Sequence, residues 1–83
     1  MRYRIEWRQV ATKAAERFMT EDPAGFLQVY ESLFLLADEP RPQGSTSFGS
    51  WDVRRIHIGL YRVLYEIEDA TITIAVIHVG RVP

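Results

Sequence analysis

Residues 54–69 read RRIHIGLYRVLYEIED. Apolar and polar residues alternate on both sides of Gly59, the period-2 pattern of a half-buried strand. Gly59-Leu60 fits a two-residue hairpin turn, with glycine where φ must be positive. The stretch is therefore predicted to form two antiparallel strands with Ile58 opposite Tyr61, His57 opposite Arg62 and Arg55 opposite Leu64. Its polar members are mostly cationic. Like charges directly opposed across a sheet are destabilising, so a row of them needs an explanation.

Downstream, TITIAVIHV (71–79) alternates in the same way and predicts a further strand, with Asp69-Ala70 as the tight turn. In that register Leu64 opposes Ala75 and Arg62 opposes Ile77. One face then carries Ile56, Ile58, Tyr61, Val63, Tyr65, Ile67, Ile72, Ile74, Val76 and His78, and is the predicted core side. The other gathers Arg55, His57, Arg62, Leu64, Glu66, Thr73, Ala75, Ile77 and Val79. Arg81 joins them if the last strand stays extended. His78, inward and opposite Tyr61, reads as a hydrogen-bonded core histidine.

Upstream, Tyr3, Ile5 and Trp7 alternate with charged residues and predict a first strand. The period then lengthens. Trp7, Val10, Ala14 and Phe18 mark a helix over roughly Gln9 to Met19. Asp22 is placed to cap a second helix that Pro23 opens and Pro40 ends, with Phe26, Val29, Tyr30, Leu33 and Leu36 as its apolar stripe. EPRPQGSTSFGS (39–50) reads as loop. The predicted fold is α+β: an N-terminal strand, a helical hairpin and a three-strand antiparallel meander, the helices packed on one sheet face.

A chain of 83 residues is expected to form one domain over 1–83, and an apolar share of 47% is ample for its core. The absence of cysteine excludes disulfides and thiolate metal sites. No apolar run approaches the ~18 residues of a membrane span, and MRYRIEW has a strand pattern rather than that of a signal peptide. A soluble, cytoplasmic protein is expected. The net charge of −1 gives no global nucleic-acid signature. Locally, however, Arg41, Arg54, Arg55 and Arg62 face only Asp52 between Pro40 and Tyr65. Nine of the ten basic residues are arginine, whose planar fork suits phosphate and carboxylate.

On these residues alone two readings stay open. A solvated face, with Glu66 serving Arg62, accounts for the cations as well as an anion site does. Arg54 has core parity but sits near the strand start, at the rim. Phe48 and Trp51 could stack on bases, although such aromatics more often close the edge of a small core. Two histidines on opposite faces offer no zinc ligand set, the scattered glycines no phosphate loop, and the GSTSFGS serines no acid–histidine pair. No metal and no cofactor are expected.

EPRPQG, RRIHIGLYRVLYEIED and ITIAVIHVGR together resemble the RelE/ParE superfamily of toxins from bacterial toxin–antitoxin pairs. GLYRVLYEI (59–67) is the most specific part, close to that family's usual GDYRVIYEI. The resemblance spans nearly the whole chain and includes the order of elements. Its RelE branch implies a ribosome-dependent endoribonuclease that cuts messenger RNA by attack of the 2′-hydroxyl on the neighbouring phosphorus. Arg62 would hold the arginine that stabilises charge on the scissile phosphate, with Arg81 near a second basic position and His57 as general acid or base. Arg55, Arg54 and Arg41 would bind RNA phosphates. The implied partners are a RelB-like antitoxin, in a complex expected to be oligomeric, and the ribosome with its message. The ParE branch implies instead inhibition of DNA gyrase by protein contact, and a third alternative is an inert relative that only binds its antitoxin. Many RelE-type enzymes carry a tyrosine after the last strand; GRVP supplies none.

Overall fold

Gly59 adopts φ +59° and turns the chain between β3 (Val53–Ile58) and β4 (Tyr61–Glu68). The pairing is as expected, with Ile58 opposite Tyr61, His57 opposite Arg62 and Arg55 opposite Leu64. These strands belong to a computed structural model that describes residues 2–82. Met1 and Pro83, the two ends of the expected 1–83 domain, lie outside the described residues.

The remaining elements are β1 (Arg4–Trp7), α1 (Gln9–Glu21), α2 (Pro23–Asp38), β2 (Thr46–Ser47) and β5 (Thr73–Arg81). The sheet runs β1-β5-β4-β3-β2, and β1 lies parallel to β5 while every other pair is antiparallel. The fold is thus the expected strand, helical hairpin and meander, extended to a five-strand mixed sheet. The added strand is β2, which pairs Thr46 with Arg55 and Ser47 with Arg54 inside the segment predicted as loop.

Helix packing follows the apolar spacing, with one correction. In α1 the buried residues are Ala11, Ala15 and Phe18, whereas Val10 is 63% exposed and not part of the stripe. In α2, Phe26, Val29, Leu33 and Leu36 are buried as expected, and Tyr30 packs half-buried beside them. Asp22 joins the two helices: its backbone N–H donates to Phe18, and its carboxylate accepts the Gly25 N–H at 3.2 Å. Rings of Phe18 and Phe26 meet Tyr61 edge-on, each with centroids 5.1 Å apart. The buried hydroxyls are satisfied, Tyr61 donating to Asp22 at 2.8 Å and Tyr65 to the Pro40 carbonyl at 2.7 Å.

The connection from β4 to β5 departs from expectation. A 3-10 turn over Asp69–Thr71, followed by Ile72 in the left-handed region, replaces the two-residue Asp69-Ala70 turn. Glu68 pairs with Thr73 and Tyr65 with Val76, but Leu64 pairs with His78. One extra residue, Ile77, is therefore accommodated on β5 as a bulge. Beyond it Arg62 faces Gly80 and Tyr61 faces Arg81, not the expected partners. A one-residue insertion exchanges the faces of everything that follows. Val79 consequently turns into the core at 2% exposure, and His78 turns out. No helix among the described residues is long and apolar enough to cross a membrane.

Candidate functional site

The outer face of β3, β4 and β5 holds a cavity of about 310 Å³. Arg55 from β3, Arg62 and Leu64 from β4, and His78 and Gly80 from β5 line it, with Phe48 at its rim beyond β2 and Arg81 at its border. Strand register explains the gathering. Arg55 and Leu64 are cross-strand partners, as are Leu64 and His78, and Arg62 and Gly80. Gly80 has no side chain to occupy the space beside Arg62, and a Cβ there would stand 3.3 Å from His78 Cε1.

The two readings left open by the sequence separate here. Glu66 does not serve Arg62; its carboxylate lies 4.0 Å from Arg8 instead. Among the described residues no carboxylate comes within ion-pair distance of Arg55, His57, Arg62 or His78. Arg62 and His57 are exposed, directly opposite one another, while Arg55 is half-buried with its guanidinium 5.4 Å from the Phe48 ring centre. Uncompensated cations around a concave surface attract and orient an anion.

Two of the arginines expected at this site, Arg54 and Arg41, stand elsewhere, and a third, Arg81, stands at its border. Arg54 is buried at 7% exposure; Nε donates to Ser45 Oγ at 2.9 Å and a terminal nitrogen to the Ser45 carbonyl at 3.1 Å. Its core parity, not the proximity of the strand end, decides its position. Arg41 is held by Asp52 at 2.7 Å and Asp69 at 3.3 Å, so two carboxylates already neutralise it. Arg81 borders the cavity, yet its guanidinium reaches toward the helices, 3.8 Å from Asp22 and 5.8 Å from the Tyr61 ring centre. The bulge that turns Val79 inward gives Arg81 the same side. Arg54 and Arg41 are thereby engaged within the fold, while Arg81 keeps a place on the cavity wall.

In exchange the site gains His78, expected in the core, and Phe48, expected at the core edge. Phe48 and Trp51 are in fact 51% and 66% exposed. No residue pattern marks the bulge, so parity counting could not have brought His78 out. The two buried tyrosines of β4 are poor proton carriers at neutral pH. Burial, then the hydrogen bond to Asp22, pushes the Tyr61 phenol up, and burial raises that of Tyr65. Among the described residues no group of histidine and carboxylate side chains is arranged to hold a metal ion.

The sequence matches the family described as "ParE toxin of type II toxin-antitoxin system, parDE" over residues 3–82. No curated protein matches it. Among solved structures it is similar to the isolated E. coli RelE toxin (22% identity, 98% of this chain and 85% of that one, TM-score 0.82). It is also similar to the RelBE2 toxin–antitoxin complex from Mycobacterium tuberculosis (20% identity, 98% and 99%, TM-score 0.81). The YoeB dimer from Staphylococcus aureus aligns at 17% identity over 94% of each chain, with a TM-score of 0.75. These structures share the strand, helical hairpin and mixed sheet described above. Because the family match runs through both helices and every strand, the chain belongs to the ParE toxin family within the RelE/ParE superfamily, and is the toxin of a type II toxin–antitoxin system.

Proposed function

We propose that this toxin is a ribosome-dependent endoribonuclease, and that the cavity on the outer sheet face receives the scissile phosphodiester of messenger RNA. One observation carries the reading: Arg55 and Arg62 flank a concave site without carboxylate partners among the described residues, and two histidines share their face. In the reaction the 2′-oxygen attacks the adjacent phosphorus, and the P–O5′ bond breaks. The 2′-proton passes to a base, and a second proton goes to the leaving 5′-oxygen. The products are a 2′,3′-cyclic phosphate and a 5′-hydroxyl. Arg62 stabilises the charge that develops on phosphorus oxygens, with Arg55 holding a neighbouring phosphate. His57, opposite Arg62, and His78, on the cavity wall, are the groups suited to the two proton transfers. As written, this chemistry calls on no metal or cofactor.

Changing Arg62→Ala tests this. The side chain is exposed, so thermal stability should shift by no more than about 0.5 kcal/mol. Cleavage of message on programmed ribosomes should fall roughly 10²–10³-fold, the usual effect of losing one charge-stabilising group. Full growth arrest by a folded Arg62→Ala protein refutes the reading. A second reading is favoured by the match to the ParE family itself: arrest through contact with DNA gyrase, with no RNA cut. DNA-damage signalling with intact message identifies that case, and absence of any growth effect identifies an inert relative.

Solved relatives include an intact E. coli RelBE toxin–antitoxin complex and RelE bound to a RelB peptide. By analogy the cognate partner is a RelB-like antitoxin, in an oligomeric complex, whose acidic side chains reach the Arg55–Arg62 face or whose bulk covers it. The ribosomal target places the toxin in the cytoplasm.

A further inference from the structure

Phe48 is an exposed aromatic with a fixed position. It follows β2 directly, and its N–H donates to the Val53 carbonyl at 2.7 Å. Gly49 takes the positive φ of +83° that the turn requires, and Ser50 Oγ accepts the Val53 N–H at 3.3 Å. The ring is therefore presented by a closed hairpin rather than a loose loop. It remains 51% exposed, lines the cavity, and has the Arg55 guanidinium carbon 5.4 Å from its centre. Trp51, on the same hairpin, also has arginines beside its ring, Arg41 and Arg54 at 5.3 and 4.9 Å, but those two are engaged by Asp52, Asp69 and Ser45, and Trp51 takes no part in the cavity. Of the two rings, Phe48 is the one that faces the site.

We propose that Phe48 is a specificity-determining residue that stacks on an unpaired nucleobase adjoining the phosphate bound by Arg62. This rests on the ribonuclease reading and deepens it, by assigning the cavity to a single-stranded ribonucleotide with its base splayed out. Several observations converge on that assignment. An aromatic ring beside guanidinium groups is the pairing with which proteins hold single-stranded nucleic acid, the ring taking the base and the cations the backbone. The cavity, at about 310 Å³, is at the small end of the ~300–1,000 Å³ usual for ligand pockets, which favours one small unit over a longer segment. Leu64 and Gly80 add apolar and unobstructed wall between ring and cations. A ring with only two torsions, already held by Arg55, loses little freedom when a base covers it.

The test uses the full chain on ribosomes carrying a short synthetic message, either intact or with one abasic nucleotide beside the cleaved bond. Phe48→Leu keeps apolar bulk against Arg55 but removes the stacking face, and Phe48→Tyr retains the ring. On the intact message Phe48→Leu should lose about 5- to 150-fold in kcat/KM, the range for deleting one base stack, and Phe48→Tyr should restore most of it. On the abasic message wild type should drop to the level of Phe48→Leu, and Phe48→Leu should lose nothing more, because ring and base form one interaction. Wild-type rates for Phe48→Leu on the intact message overturn the proposal while the ribonuclease reading stands. So do losses that multiply when variant and abasic message are combined. If wild type cuts neither message, the ribonuclease reading fails, and this assignment with it.

Discussion

Arg54→Ala should damage the fold, whereas Arg62→Ala should damage only the site, although the two residues lie on adjacent paired strands. Arg54 is 7% exposed and its guanidinium has no carboxylate partner among the described residues; it is held by Ser45 through bonds of 2.9 and 3.1 Å. Its contact with the Trp51 carbonyl, at 3.5 Å, is long enough to count for little. Hydrogen bonds to a charged group contribute about 1.5–3 kcal/mol each, and stacking over Trp51 adds about 0.5–1 kcal/mol. Removing the arginine also removes the cost of burying its charge, so the net loss falls below that sum, at about 2–4 kcal/mol. The buried Ser45 carbonyl left without a donor keeps it from falling further. Against a total stability of roughly 4–12 kcal/mol for a chain of this size, that is a large fraction. The melting temperature should fall by on the order of 10–30 °C. Arg54→Lys, which retains charge but cannot span both Ser45 acceptors, should fall between the two. Circular-dichroism melts and urea unfolding measure this directly. A folded Arg54→Ala protein that melts within roughly 2 °C of wild type yet has lost message cleavage would mean that Arg54 serves the ligand, and the structural assignment would be wrong.

His78→Ala should leave stability within about 0.5 kcal/mol while reducing cleavage by roughly 10²–10⁴-fold if the residue transfers a proton; a large fall in urea midpoint would instead place it in the core. Gly59→Ala should cost about 1–2 kcal/mol, since alanine at φ +59° is strained, and thermal melts should show Gly59→Asn better tolerated. The hydrogen bond from Tyr3, then Arg41, holds the Asp69 carboxyl below the usual carboxylate range. A carboxylate with a lowered folded pKa stabilises above its unfolded value, and that contribution disappears as pH falls through the folded one. Asp69→Asn should therefore be less stable than wild type near neutral pH, and the two should converge below about pH 4. Urea midpoints across that range check the sign.

How much of this was readable from residues depends on the range of the interactions. Both helices, the Asp22 cap and the β3–β4 register were legible because each is set within a few positions. Alternation reports a strand, 3–4 spacing a helix, and a glycine-led turn leaves one pairing. β2 was not legible, because two residues carry no period and their pairing with Arg54 and Arg55 comes from across the hairpin. The place of β1 beside β5 was equally hidden, since a parallel neighbour is reached only after both helices have crossed over. The site shows the same division. Arg55, His57 and Arg62 share a face by local register, and the sequence alone put them there.

Tertiary structure decided the rest. A single extra residue at Ile77 reverses the faces of β5 beyond it, bringing His78 to the cavity and taking Arg81 toward Asp22. Whether an arginine is free or occupied depends on acceptors outside its own strand, Ser45 across the β2–β3 hairpin for Arg54 and Asp69 for Arg41. Local spacing determines which side of a strand a residue starts from. The bulges and long-range partners that packing selects determine whether it stays there and what it touches, because their energies are settled only when the separate segments meet.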